Sequence, residues 1–184
     1  MVNKWIYDKV GHLVGKYQTR DPDELIRCLN IHLKYIGSTE SLLGMYRVIL
    51  RNRFIFLADN IGSLRKTVLA HELGHDQLHR KECVKGAGFH ESRVFNPTDR
   101  FEIEANIFAA HLLIPDEDVI SMIKYAENAK ELADSLGVDI NLLNLKISEM
   151  AKMNLLDLDQ SALRRPDSGF LKNYKPQDDD WNYH

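Results

Sequence analysis

Apolar residues recur along this chain with two periods, and the switches between them outline its elements. Leu25, Ile26 and Leu29 stand at helical spacing after Asp21-Pro22, where the aspartate or the proline supplies a helix start. Three short runs follow, at 31–36, 45–50 and 53–57. In the first, Ile31, Leu33 and Tyr35 alternate with polar residues, as on a half-buried strand. Gly37-Ser38 and Gly44 break the chain between the first two runs. Asn52 marks a tight turn between the last two, which therefore read as a hairpin.

From Gly62-Ser63 the pattern becomes helical over about 64–79. Residues 80–98 read as a long loop ending at Asn96-Pro97-Thr98-Asp99, followed by a helix over 99–113 that stops at Ile114-Pro115. Asp116, Glu117 and Asp118 place acidic residues in the first turn of another helix. Two more helices, about 128–136 and 140–152, flank Gly137-Val138-Asp139. The tail from Arg164 is expected to be mobile unless Phe170, Tyr174 or Trp181 dock. The pattern predicts an α+β chain, mostly helical, with a small sheet of about three strands and a C-terminal helical extension.

Composition narrows the function classes. With 184 residues, 44% of them hydrophobic, the chain suits one compact domain with a small appendage. A net charge of -3 gives no global pull toward nucleic acid or an anionic membrane. The first twenty residues lack the apolar core of a secretory signal, and no window approaches a membrane span. Cys28 and Cys83 lie far apart and outside any Cys-x-x-Cys, so they read as reduced thiols. The cytoplasm is the expected location.

The chemistry centres on Leu69-Ala70-His71-Glu72-Leu73-Gly74-His75, which contains His-Glu-x-x-His. Two histidines four apart on a helix differ by only about 40° and 6 Å of rise, so both imidazoles reach one cation. Glu72 lies about 100° round from His71, close enough to take a proton from the attacking water without occupying the metal. Chance would supply roughly 0.02 such matches in a chain of this composition. The helix is apolar nearly all round, so burial of these groups needs a compensating partner, and a metal provides one.

A catalytic zinc needs a third protein ligand and an open position. The residue six after His75, where a metzincin carries its third histidine, is Lys81. Three helical histidines at 71, 75 and 79 spread over about 12 Å, too far for one ion, which leaves His79 behind the ligands or at the cleft rim. On the helix after the loop, Phe101, Ile107, Phe108, His111 and Leu112 all fall within about 80° of Glu104. Glu104 therefore stands inside an apolar stripe, where a bare carboxylate demands a compensating charge. Glu102 lies about 160° away beside Asn106, on a side easily left to solvent. Glu104 is thus the expected third ligand, ahead of Glu102, Asp99, His90 and Glu91. A set of two histidines and a glutamate favours one zinc per chain over manganese, cobalt or iron. Candidates for an oxyanion donor are His79, His90 and His111.

The run 68–75, followed by Glu104-Ala105-Asn106-Ile107-Phe108-Ala109-Ala110-His111-Leu112-Leu113-Ile114-Pro115, resembles the ImmA/IrrE family of metallo-endopeptidases, in its short ImmA-like form. The similarity spans about 31–115 and more loosely reaches 150. It implies a zincin-like fold in which His71, His75 and Glu104, the glutamate of the Glu-Ala-Asn element, bind zinc and Glu72 is the general base. It also implies a protein substrate, a helix-turn-helix repressor of a phage or other mobile element. The expected organisation is a metallopeptidase domain at 1–125 with its core at 22–115, a helical extension at 126–160 packed on it, and a tail at 161–184.

Two further expectations concern partners. If Arg53–Leu57 forms a sheet edge, an extended substrate could pair with it across the metal. Residues 129–150 look superficially like a helix-turn-helix, yet 140–150 offer only Lys146 as a positive charge, so nucleic-acid binding is not expected. The alternative to an enzyme is a non-catalytic regulatory or DNA-binding module that keeps metal for structure.

Overall fold

A computed structural model describes residues 3–38, 42–84 and 100–156. In chain order its elements are α1 (Lys4–Tyr17), α2 (Pro22–Cys28), β1 (His32–Tyr35), β2 (Gly44–Ile49), β3 (Asn52–Leu57), α3 (Arg65–Leu78), α4 (Arg80–Val84), α5 (Arg100–Leu113), α6 (Asp116–Met122), α7 (Ala129–Leu136) and α8 (Ile140–Lys152). The α+β class holds: a largely helical chain with one three-stranded sheet among the described residues. The expected tail at 161–184 lies outside the described residues.

Local chemistry sets most boundaries. The Asp21 side chain accepts hydrogen bonds from the Asp23 and Glu24 amides at the start of α2, with Pro22 in the first turn. Asn128 and Asp139 cap α7 and α8 in the same way, and Gly137 ends α7 in the left-handed region at φ 64°. Helix α1 was not foreseen from the sequence, although Ile6, Val10 and Leu13 line its buried face at helical spacing.

The strand order is β1-β3-β2. β3 runs parallel to β1, pairing Leu33 with Ile55, and antiparallel to β2, pairing Tyr46 with Ile55. Arg53–Leu57 therefore belongs to the central strand, with its backbone used on both sides, and among the described residues the sheet edges fall to β1 and β2. Leu50 and Arg51, at φ 49° and 66°, form the hairpin turn one residue before Asn52, whose side-chain amide donates to the Leu50 carbonyl.

Helix α5 runs through the middle of the molecule, with α3 against one side and α1 and α8 against the other. Ten of its residues are buried, including Glu102, Glu104, Asn106 and His111 beside Ile107, Phe108 and Leu112. Each large apolar side chain withdrawn from water here contributes about 1.5–3 kcal/mol. The α3–α5 crossing is close because Gly74 faces it: a Cβ there would stand 3.1 Å from both the Cα and the carbonyl oxygen of Ala105. Cys28 and Cys83 are free thiols. Among the described residues, no helix is long and apolar enough to cross a membrane.

Candidate metal centre

His71, Glu72 and His75 are all buried on α3, on the turns that pack against α5 and β2. The Nε2 atoms of His71 and His75 approach to 3.1 Å. Glu102 completes the group from α5, one carboxylate oxygen 3.3 Å from His71 Nε2 and the other 3.3 Å from His75 Nε2. One ligand atom from each of the three residues falls within 4.8 Å of the others.

Glu104, the expected third ligand, is not in this group. Its carboxylate lies 3.0 Å from His79 Nε2 and 2.5 Å from Arg100 Nε. The reason is the burial of α5 on both sides. His111 of the apolar stripe meets Tyr7 of α1 and Lys146 of α8 and Glu104 reaches His79 at the end of α3, while the side bearing Glu102 and Asn106, read from sequence as facing solvent, packs against His71 and His75. On a helix with no wet side, the few polar groups on the face toward a histidine pair mark the site better than the apolar stripe does. Asn106, one turn after Glu102, was the available signal, since its side-chain oxygen stands 2.8 Å from His71 Nδ1.

Hydrogen bonding fixes how the imidazoles present themselves. Asn106 Oδ1 accepts from His71 Nδ1–H, which directs the Nε2 lone pair of neutral His71 toward Glu102. On the other ring, His75 Nδ1 faces His79 Nδ1 at 3.1 Å. The centre is thus two imidazole nitrogens and a carboxylate converging in a buried space, an arrangement that attracts positive charge. Protonation reflects this attraction. Burial opposes a charge on His71, but the hydrogen bond to Glu102 and the Glu72 and Glu102 carboxylates outweigh it and raise its pKa. Burial, aided by the neighbouring His71 and His79, lowers His75 to about 4. Burial also works against the Glu102 anion, yet the two histidines hold its pKa down at about 2.

The donor set fits a zinc-sized cation. Ligand atoms arranged tetrahedrally about 2.0–2.1 Å from zinc stand roughly 3.4 Å from one another. The two imidazole nitrogens stand 3.1 Å apart, near that spacing, each has one oxygen of Glu102 at 3.3 Å, and nitrogen and oxygen donors are of the kind zinc accepts.

Glu72 sits beside this group without joining it. Burial pushes its pKa up to about 7; His71 draws it down and Glu102 pushes it further up, while the Tyr46 backbone hydrogen-bonds to it. Gly44 of β2 makes room for it, since a Cβ at that position would come within 3.0 Å of Glu72 Oε1 and 2.5 Å of Val68 Cγ1. Sequence reasoning missed this glycine, and also Asp76, which is buried and pairs with Arg53 of β3 at 3.2 Å and Arg80 of α4 at 2.9 Å. Those pairs tie the end of α3 to the sheet.

The remaining candidates disperse. His79 stands behind His75. His111 lies with Tyr7, Asp116 and Lys146, apart from the group of His71, His75 and Glu102. Lys146 is itself buried, which turns the one cation of 140–150 inward. Asp99, His90 and Glu91 fall outside the described residues.

Residues 26–148 match the model of the Peptidase M78 family, described as the IrrE N-terminal-like domain. The chain is also 35% identical over 144 residues to the uncharacterised immunity region protein 2 of Bacillus phage phi105, an alignment covering 77% of this chain and 89% of that protein.

Proposed function

The chain belongs to the IrrE N-terminal-like peptidase family, and on that premise we propose that it is a zinc-dependent endopeptidase acting on a cytoplasmic protein. One zinc ion is held by His71, His75 and Glu102, and Glu72 is the catalytic base. The observation that carries this reading is the juxtaposition of a buried carboxylate, Glu72, with a separate group of two imidazoles and a second carboxylate. A purely structural metal site has no use for a buried acid that is not a ligand.

Bound zinc would supply Lewis acidity toward the scissile carbonyl and lower the pKa of water. The protein's own groups do the rest. Glu72 takes the proton from the attacking water and returns it to the departing amine nitrogen. Asn106 holds the His71 ring in the orientation that directs Nε2 inward. Asp76, through Arg53 and Arg80, fixes the end of α3 against β3 and α4. β2 packs against α3 and pairs on one side with β3; an extended peptide adding to its other edge would run alongside Glu72.

The substrate we propose is a helix-turn-helix repressor of a phage or mobile element. Two facts support it: the family resemblance, and a phage relative whose name assigns it to an immunity region. The test is Glu72→Gln in the purified protein, incubated with zinc and a helix-turn-helix repressor of a phage immunity region. The variant should keep its zinc while cleavage falls by about 10²–10⁴-fold, the range lost with a general base. Cleavage at the wild-type rate would refute the role of Glu72, and an intact repressor in the wild-type reaction would refute the substrate.

A further inference from the structure

Behind the metal group the buried side chains of His79 and Glu104 form a chain of contacts that runs away from it and ends at the exposed Arg100. His75 Nδ1 meets His79 Nδ1 at 3.1 Å, His79 Nε2 meets Glu104 Oε2 at 3.0 Å, and Glu104 Oε1 meets Arg100 Nε at 2.5 Å. His79 is 1% exposed, closes α3 with its amide bonded to the His75 carbonyl, and has the Phe101 ring edge-on at 4.8 Å. The ring therefore has little freedom to turn.

The order of donors along this chain follows from chemistry once His79 is neutral, since an imidazolium would donate from both ring nitrogens. A carboxylate only accepts, and Arg100 already donates to Glu104, so His79 must donate its Nε2–H to Glu104. Neutral His79 then carries its lone pair on Nδ1. That atom can only accept from His75, so His75 is protonated on Nδ1 and its Nε2 lone pair points toward His71 Nε2 and Glu102. The arrangement matches the one Asn106 imposes on His71 from the opposite side.

We infer that His79, oriented by Glu104, is a positioning residue that holds the metal ligand His75 in its metal-binding tautomer. This gives Glu104 a task other than ligation, and it rests on the reading of His71, His75 and Glu102 as the zinc site. Partners of this kind typically contribute 10–100-fold to metal affinity.

The test measures zinc affinity of the full chain by competition with a chromophoric chelator, for the wild type, His79→Ala and His79→Asn. Asparagine places an acceptor oxygen near the position of imidazole Nδ1, so it should restore most of what alanine removes. Expected are a Kd raised about 10–100-fold in His79→Ala and a value near the wild type in His79→Asn. Equal affinities for the wild type and His79→Ala would overturn the inference and leave the zinc site standing. So would equal weakening by both substitutions, which would mean the ring only fills space. No zinc binding by the wild type would instead remove the metal site on which the inference rests. Long-range proton–nitrogen spectra of the metal-free wild type add a readout that needs no variant to fold: His75 should appear protonated on Nδ1, and protonation on Nε2 would overturn the relay.

Discussion

Helix α5 carries a buried polar cluster on each side, and the two differ in where their positive charge comes from. Toward α3, His71 and His75 converge with Glu102, and Glu72 lies close by. Toward α1 and α8, His111 meets Lys146, which pairs with Asp116, which in turn accepts from the Tyr7 hydroxyl at 2.7 Å. The second cluster contains its own cation. The first gathers two imidazoles and two carboxylates, a donor set of the kind that binds a cation. Burial of a histidine thus says little about ligation, and the charge balance of its surroundings says more.

The sharpest way to break this comparison is to remove one carboxylate from the first cluster. Glu102→Ala should weaken zinc binding by more than the roughly 100-fold at the upper end for an outer partner, and by more than Glu104→Ala does. A chelator competition that finds Glu104→Ala the more damaging would reverse the ligand assignment. In the second cluster, Lys146→Met should leave zinc affinity unchanged but strand Asp116. Breaking a buried pair from one side costs about 3–5 kcal/mol, and the low end applies because Asp116 keeps some contact with water. Urea denaturation measures that loss, and a shift in zinc affinity would show that the two clusters are coupled.

A smaller effect is expected at the helix crossing between the clusters. Gly74→Ala forces its new methyl against the Ala105 backbone, so stability should fall by about 1–3 kcal/mol. Because Gly74 precedes His75, zinc affinity should fall with it; unchanged melting temperature and affinity would show that the two helices separate freely.

The effect that is smallest per step is a pH slope. Burial, with Lys146 beside it, lowers the pKa of His111 to about 3, while Asp116 opposes that and Arg20 adds to it; Tyr7 packs edge-on against its ring. The folded pKa is below the unfolded value of about 6.5, so the unfolded chain binds the extra proton between the two. Stability from this group is present above pH 6.5 and is lost as pH falls toward 3, by at most about 1.4 kcal/mol per pH unit. His111→Gln should flatten the slope by that amount relative to the wild type in parallel denaturation series. An unchanged slope would mean that His111 is charged in the fold.

How much of this was legible in the sequence depends on whether the signal was local. His71, Glu72 and His75 lie within five residues on one helix, and the first strand and two helix boundaries announced themselves through alternation, Asp21 and Gly137. The choice between Glu102 and Glu104 was not local. It depended on which side of α5 packs against α3, and on a helix buried nearly all round the apolar stripe does not tell which side that is. The central position of β3 was hidden for a similar reason, since its parallel partner β1 lies beyond β2 in the chain and pairs only through the tertiary fold. The burial of α1 along Ile6, Val10 and Leu13 was readable from spacing, but the segment was read only for a leader.

The claim that decides between the two glutamates is open to direct sight. Crystals grown with zinc and measured on either side of its absorption edge should show one anomalous peak per chain, bonded to His71 Nε2, His75 Nε2 and a Glu102 oxygen at about 2.0–2.2 Å. A peak ligated by Glu104, or the absence of any peak between the two imidazoles, would contradict the account.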